Sequence, residues 1–278
     1  MNKIINMQIF KILLALIVAN NVFANPSFDC NKAVNAVEKA ICADNFLSEL
    51  DKNLAQIYKT AFEILDDSQK QKVKNEQLSW LKNRNKEQDF EYLAENYVDR
   101  ILEILKNKKI SDFYAEKLLH YPDKIGHNIA FFAFVALEKQ YKNTTDICNS
   151  LKEAIKGFKF HKINPHKIFV LRSEVIGGNG SSSYELYLLH QEGKQIKIKN
   201  IIFPLDYNNE INYQNSNDIL YGDAQFDLRK GEVSWSSMSG MHETSYSAKW
   251  KFNEDGVAKL IEYTEDNSEK DEVPNEDN

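Results

Sequence analysis

The sequence predicts an α+β protein: an N-terminal antiparallel helical domain is followed by a mainly antiparallel β domain with helices before it. Two observations carry this prediction. Apolar residues recur at three- and four-residue steps from Phe46 to Leu105, which is typical of amphipathic helices. From Lys167 onward the period changes to two, which is typical of strands. We expect the two domains to span residues 25–108 and 109–264.

Residues 1–24 are predicted to be a secretory signal. Lys3 and Lys11 are its only charges, and the apolar run Ile12–Val18 is shorter than the roughly twenty residues of a membrane span. We expect cleavage after Ala24, so that the mature chain has no membrane span and is periplasmic or secreted. The residue directly after the predicted cleavage site is Asn25 and not a cysteine, which argues against a lipoprotein.

The charge balance argues against a nucleic-acid partner. The formal net charge is −6, and removal of the two lysines of the signal leaves 33 basic and 41 acidic residues, or −8. Nucleic-acid binders carry clustered positive charge instead. A negative chain favours a basic partner, although solubility alone also explains the charge.

Three helices are predicted for the first domain, and they must pack on one another because a lone amphipathic helix is unstable in water. Asp44 is the predicted N-cap of the first helix, and Ser68 with Gln71 forms a capping-box pattern for the second. The apolar stripe of the first helix consists of Phe46, Leu47, Leu50, Leu54, Ile57, Tyr58, Ala61, Phe62 and Leu65. The other two helices carry Val73, Gln77, Trp80, Leu81 and Arg84, and Leu93, Tyr97, Ile101, Leu102 and Leu105.

Cys30 and Cys42 leave two arrangements open. One straight helix between them would hold their Cα atoms about 18 Å apart, whereas a disulfide needs roughly 7 Å or less. Either the two thiols are unpaired, or Cys30 lies on a segment that folds back over a short helix near Val34–Cys42. We favour the second arrangement, which would contribute about 3 kcal/mol in the chain-entropy model.

The first domain resembles the N-terminal domain of LprI-type lysozyme inhibitors over about seventy residues. The resemblance rests on the C-x(11)-C spacing, an L-x-x-L-D-x-x-L-x-x-x-Y run, a W-L-x-x-R piece and an L-x-x-x-Y-x-x-R piece. The residues that carry it are Cys30, Ala33, Glu38, Ala40, Ile41, Cys42, Leu47, Leu50, Asp51, Leu54, Tyr58, Gln77, Trp80, Leu81, Arg84, Leu93, Tyr97 and Arg100.

The sequence departs from the family pattern at two positions. Two further family cysteines would fall near Glu87 and Tyr92, and both are missing. The resemblance therefore implies that Cys30 and Cys42 form the remaining disulfide, which suits an oxidising compartment. It also implies a non-catalytic protein that binds a lysozyme-type muramidase and needs no cofactor.

A catalytic interpretation of the motif competes with a structural one. Glu38 and Asp51 could act as paired carboxylates. We favour the structural interpretation, in which Arg84 forms an inter-helix ion pair with Asp51 as a polar partner, and Trp80 belongs to the core.

The second domain is predicted to contain helices at Ser111–His120, Ile125–Tyr141 and Thr145–Phe158. Strands are predicted at Lys167–Ile176, Tyr184–Gln191, Gln195–Phe203, Ala224–Leu228, Glu232–Ser236, Ser245–Phe252 and Ala258–Tyr263. Short turns between neighbouring strands favour antiparallel pairing in an open, sandwiched or rolled sheet. The acidic segment 265–278 is predicted to be disordered.

The remaining candidate groups do not form a recognisable catalytic or metal site. His161 and His166 flank a loop without a carboxylate or cysteine cluster, so we expect no metal there. Cys148 has no evident partner or base, so we expect a buried structural thiol.

One loop of the second domain is a candidate inhibitory element. It runs from Trp235 to His242 between two predicted strands and faintly resembles the Ser-x-Ser-Gly loop of MliC-type lysozyme inhibitors. A polar hairpin loop without a function is the competing interpretation. Its candidate residues are Ser236, Ser237, Ser239, Gly240 and His242.

Three functions thus remain as hypotheses. The first is an exported inhibitor of a lysozyme-type muramidase. The second is an envelope structural or interaction protein that binds another protein through its helical face. The third, ranked last, is a hydrolase with its site in the β domain, which a pocket with perturbed carboxylates would support.

Overall fold

The computed structural model describes residues 25–87, 92–141, 151–176, 181–204, 206–207, 210–211, 219–238 and 244–267. N-terminal helices are followed by antiparallel sheets, which confirms the predicted α+β class. The chain divides into two compact units, one ending at Ile104 and the other beginning at Leu105. Within the described residues, no helix combines the length and the apolar character that a membrane crossing requires.

The first unit is built from helices that follow a short 3₁₀ turn, Cys30–Lys32. Asp44 caps the helix α2 (Asn45–Ile64) by accepting from the Leu47 amide, as predicted. The predicted capping box at Ser68 is wrong, because the Asp66 carboxylate accepts from the Gln69 amide and starts α3 earlier. The helices are α1 (Ala36–Ala43), α2 (Asn45–Ile64), α3 (Asp67–Arg84) and α4 (Leu93–Leu105).

The core of the first unit follows the predicted apolar stripes. Each helix buries residues at three- and four-residue steps, so each needs its neighbours to remove that stripe from water. The helix α3 contributes least, because most of its surface is polar and exposed. The buried apolar residues are Val37, Ile41, Leu47, Leu50, Leu54, Ile57, Ala61, Leu65, Val73, Leu93, Tyr97, Val98, Ile101, Leu102 and Ile104.

The second unit begins with helices whose bounds differ slightly from the prediction. The predicted helix at Ile125–Tyr141 is interrupted at Gly126, whose φ of 84° is outside the helical range. Asn107 caps the first of these helices, which therefore begins three residues before its predicted start. The helices are α5 (Lys108–His120), α6 (Pro122–Ile125), α7 (His127–Tyr141) and α8 (Leu151–Gly157). The first part of the predicted helix Thr145–Phe158 and Cys148 lie outside the described residues.

The strands form two main antiparallel sheets. The first has the order β1-β2-β3-β4, with β7 also paired to β3, and the second has the order β11-β10-β9-β8. A separate short pair joins β5 to β6. The strands are β1 (Lys159–Asn164), β2 (Lys167–Ile176), β3 (Ser181–Glu192), β4 (Gln195–Asn200), β5 (Asp206–Tyr207), β6 (Glu210–Ile211), β7 (Leu220–Tyr221), β8 (Asp223–Asp227), β9 (Glu232–Met238), β10 (Thr244–Phe252) and β11 (Ala258–Asn267).

The two sheets pack on one shared apolar core. Of the open, sandwiched and rolled arrangements that the sequence allowed, the sandwich is therefore the observed one. Alternate residues of β2 point to opposite faces, and its Phe169 and Leu171 pack into this core. The opposite face of the first sheet meets α7, where Phe134 contacts Tyr187 at 5.0 Å between ring centres. The buried core between the sheets consists of Phe169, Leu171, Leu186, Leu188, Ile201, Phe203, Leu220, Val233, Ala248, Trp250 and Phe252.

Two predictions for the second unit need correction. The strand β1 was not predicted, and His161 lies on it rather than beside a loop. The strand β11 continues through Glu265 to Asn267, which pair with Tyr246 to Thr244, so the acidic segment starts as a paired strand. The rest of that segment lies outside the described residues.

Candidate functional site

The N-terminal motif begins with the disulfide between Cys30 and Cys42. Their Cα atoms are 5.8 Å apart, because the 3₁₀ turn folds Cys30 back over α1. This confirms the pairing that the family resemblance implies.

Glu38 closes the cap of α1. Its carboxylate accepts from the Val34 and Asn35 amides, while the Asn35 side chain accepts from the Glu38 amide. The Val34 hydrogen bond is the main cause that lowers the pKa of Glu38. The Glu38 carboxylate is therefore occupied by the hydrogen bonds that cap the start of α1.

Asp51 is the centre of a buried polar network. One carboxylate oxygen accepts from the Ser27 amide at 2.7 Å and also from its hydroxyl. The other accepts from the Tyr97 hydroxyl at 2.7 Å and lies 3.5 Å from Arg84 Nη1. Burial, followed by the charge of Asp51, raises the pKa of Tyr97, so its hydroxyl stays protonated and donates. The network is therefore a satisfied buried ion pair with a tyrosine bridge.

Arg84 links this network to Trp80. Its Nη1 donates to the Tyr97 hydroxyl at 2.8 Å, and its Nε and Nη2 donate to Asn85. The guanidinium carbon lies 5.5 Å from the centre of the Trp80 ring, within cation–π range. Trp80 is half-buried, packs edge-on against Tyr97 and donates from Nε1 to the Asn96 carbonyl. Trp80 thus packs on Tyr97 and Arg84 and stays partly exposed, and it is not a fully buried core residue.

Arg100 forms a second buried cluster on the same helices. Its guanidinium donates to Gln77 at 2.9 Å, to Glu103 at 2.6 Å and to the Val73 carbonyl at 3.4 Å. The Arg100 side chain is 1% exposed. The two clusters together tie α2, α3 and α4 to one another through side chains of opposite charge.

The other motif residues have packing contacts. Leu50 is fully buried in the helical core. Tyr58 and Leu81 are half-buried, and Tyr58 packs on Phe62 with ring centres 4.8 Å apart. The placement of the whole motif favours structural roles. Its two carboxylates, Glu38 and Asp51, have separate hydrogen-bond partners and do not form a shared acid–base pair.

The candidate inhibitory loop is shorter than predicted. Ser236 and Ser237 lie on β9, whose end is Met238, and not in a loop. Ser236 is exposed and lies opposite Asp223 and Ser247, whereas Ser237 is half-buried next to Gly222. The other candidates, Ser239, Gly240 and His242, lie outside the described residues.

A buried network of the second unit was missed from the sequence. Glu138 accepts from the Tyr187 hydroxyl at 2.6 Å and from Arg172 at 3.2 Å, and Arg172 also lies 3.6 Å from Glu185. Burial is the main cause that raises the pKa of Tyr187, followed by the charge of Glu138. The only sequence signal was a charged residue at the end of the apolar run Ala130–Leu137. The pairing makes this network a tie between α7 and the first sheet.

Ser27 and a histidine pair were also missed. Ser27 lies 24 residues from Asp51 in sequence and belongs to no periodic pattern. His120 and His166 approach each other in the second unit. Among the described residues, no group of three or more histidine, cysteine, aspartate or glutamate side chains could hold a metal ion.

Comparison with known proteins gives one match. Residues 30–116 match the family model described as lysozyme inhibitor LprI, which confirms the resemblance of the N-terminal region. The matched region runs from the disulfide through α4 and into α5, about a third of the chain. Searches of curated proteins and of solved structures gave no significant match.

Proposed function

We propose that the chain is an exported, non-catalytic binding protein that inhibits a lysozyme-type muramidase. The observation that supports the proposal most is the match to the lysozyme-inhibitor family model over residues 30–116, which covers the helices of the first unit and extends into α5. The paired Cys30 and Cys42 fit an oxidising compartment outside the cytoplasm. The signal-like residues 1–24 support export by cleavage after Ala24.

The hydrogen bonding of the motif carboxylates supports a binding role over a catalytic one. A general acid or base must reach a substrate proton. Asp51 is 5% exposed and saturated by Ser27, Tyr97 and Arg84. Glu38 is held by backbone amides of its own helix cap. The motif therefore supports the shape of the helical unit, and the contact with a partner falls to exposed residues around it.

The outward row of α4 is the best candidate for that contact. Glu95, Asp99 and Glu103 recur at four-residue steps, so they share one side of the helix. Asp99 and Glu103 are exposed, whereas the intervening Tyr97 and Arg100 are buried. Tyr92, 56% exposed just before the helix, adds an aromatic group of the kind enriched at interfaces. Arg100 offsets the charge of Glu103 at 2.6 Å, so the negative charge of this row comes mainly from Glu95 and Asp99; beside an aromatic side chain, it would complement a basic enzyme.

The association rate with a basic muramidase tests this contact. We expect the rate to fall as salt rises, because surface charges are screened beyond about 8 Å at physiological ionic strength. The double variant Glu95→Gln/Asp99→Asn should associate more slowly at low salt than the unmodified chain. Surface plasmon resonance at several salt concentrations measures both effects.

Glu63→Gln is the matched control, since Glu63 is an exposed acid on a different helix, α2. It should leave the association rate nearly unchanged. If binding is lost only with Ser237→Ala and Ser239→Ala, the contact lies on the strand β9 and the residues that follow it in sequence. If no muramidase binds, the envelope interaction protein becomes the better hypothesis.

A further inference from the structure

His120 and His166 meet on the surface of the second unit. His120 is the last residue of α5, and His166 lies in the turn between β1 and β2. Their ring centres are 6.2 Å apart. The two residues are 46 positions apart, and the fold holds them together through Lys162, whose ammonium donates to the His120 carbonyl at 2.7 Å.

Hydrogen bonds fix the tautomer of each ring. His120 Nδ1 lies 2.9 Å from the Pro165 carbonyl, which can only accept, so this nitrogen carries a proton. His166 Nδ1 lies 2.9 Å from Gln191 Oε1. The orientation of the Gln191 amide is set by its own Nε2, which donates to the Gly193 carbonyl at 3.0 Å. His166 therefore also carries its proton on Nδ1.

With Nδ1 as the N–H of each ring, Nε2 is the atom left to act as an electron-pair donor. Among the described residues, neither Nε2 has a hydrogen-bond partner. Other histidines of the unit differ in this respect. His127 Nε2 bonds the Ile155 carbonyl, and His190 Nε2 bonds Glu192. A histidine that ligates a metal typically gives its other N–H to a carbonyl or carboxylate, which orients the ring as it is oriented here.

We propose that His120 and His166 form a two-histidine surface site for a divalent transition-metal ion. An ion bound through Nε2 at 2.0–2.1 Å lies about 3.2 Å from the centre of each ring. The ring centres can then be at most about 6.4 Å apart, and the observed 6.2 Å is within that limit. At 6.2 Å the N–metal–N angle would be about 150°, close to the trans arrangement of a tetragonal Cu²⁺ or Ni²⁺ site, so both rings can keep their Nδ1 partners.

The ligand chemistry selects the ion. Imidazole nitrogens suit Cu²⁺, Ni²⁺ and Zn²⁺, whereas Ca²⁺ and Mg²⁺ require oxygen ligands. Two protein ligands leave the other positions of the ion to water or to an external group. The nearby Lys162 ammonium opposes a cation, so the affinity is expected to be modest. Cu²⁺ should bind more tightly than Ni²⁺ or Zn²⁺, following the general order of these ions.

Titration of the full chain, made without a histidine tag, with a copper(II) salt tests the site. We expect His120→Gln and His166→Gln each to weaken binding by tenfold or more. Gln191→Leu removes the group that orients His166 and should weaken binding by about tenfold. Electron paramagnetic resonance should show two imidazole nitrogens on the bound Cu²⁺, and one in either histidine variant.

His161→Gln is the matched control, because His161 lies on the neighbouring strand β1, where it is paired with Phe169. It should bind copper as the unmodified chain does. Circular dichroism of each variant checks that the fold is retained. Equal copper affinity and an unchanged spectrum in the two histidine variants would overturn the proposal. Because the readout is copper binding, its failure leaves the muramidase proposal untouched.

Discussion

Asp51→Ala is expected to destabilise the helical unit by about 3–5 kcal/mol, the range for breaking a buried ion pair by removing one partner. The substitution leaves the Arg84 guanidinium, 6% exposed as a side chain, without its counter-charge. It also removes the acceptor of the Tyr97 hydroxyl and of the Ser27 amide. Urea unfolding followed by circular dichroism at the helical band measures the loss.

Lys82→Ala is the control for this prediction, since Lys82 is exposed on the same helix as Arg84. It should change the free energy of unfolding by no more than about 0.5 kcal/mol. Equal urea midpoints for the two variants would mean that Asp51 and Arg84 are not a buried pair in solution. The motif carboxylate would then be free for a direct binding or catalytic role.

Trp250→Ala is expected to cost the second unit about 3–5 kcal/mol, the usual range for emptying a buried aromatic site. Trp250 is 1% exposed between the two sheets and packs against Phe203, with ring centres 5.4 Å apart. Its Nε1 donates to the Pro204 carbonyl at 2.7 Å, and that acceptor would lose its partner. Denaturant unfolding followed by the fluorescence of the remaining tryptophans measures the effect.

Lys251→Ala, an exposed substitution on the same strand, should remain within about 0.5 kcal/mol of the unmodified chain. A Trp250→Ala variant as stable as Lys251→Ala would contradict the packing of the two sheets over one core.

Periodicity in the sequence was enough for the elements that bury a strong stripe. The helix α2 follows its apolar repeat from Phe46 to Leu65, and its cap at Asp44 is local chemistry that the sequence displays. The strand β2 was predicted with its observed bounds, because a short turn and a period of two define it. In contrast, β1 was missed because it has few apolar residues and is held by pairing with β2.

The contacts within the candidate site join residues that are far apart in the sequence, and local sequence patterns do not encode such contacts. Tyr97 reaches Asp51 across 46 positions, so the sequence suggested an Asp51–Arg84 pair but not the tyrosine that bridges it. The helix α3 starts earlier than predicted, because Asp66, the first of the two acidic residues before Ser68, is the residue that caps it. The histidine pair was missed for the same reason: the sequence associated His166 with its neighbour His161, whereas the fold brings it to His120.

The most direct test is the turnover of several lysozyme-type muramidases on cell-wall substrate, measured at low salt with increasing amounts of the mature chain. Inhibition of at least one enzyme should rise to a plateau at micromolar concentrations or below, and the chain should be recovered intact by mass spectrometry. The Asp51→Ala variant should lose inhibition only to the extent that it unfolds. If the folded chain neither binds nor slows any of the enzymes tested, that result would contradict the inhibitor function.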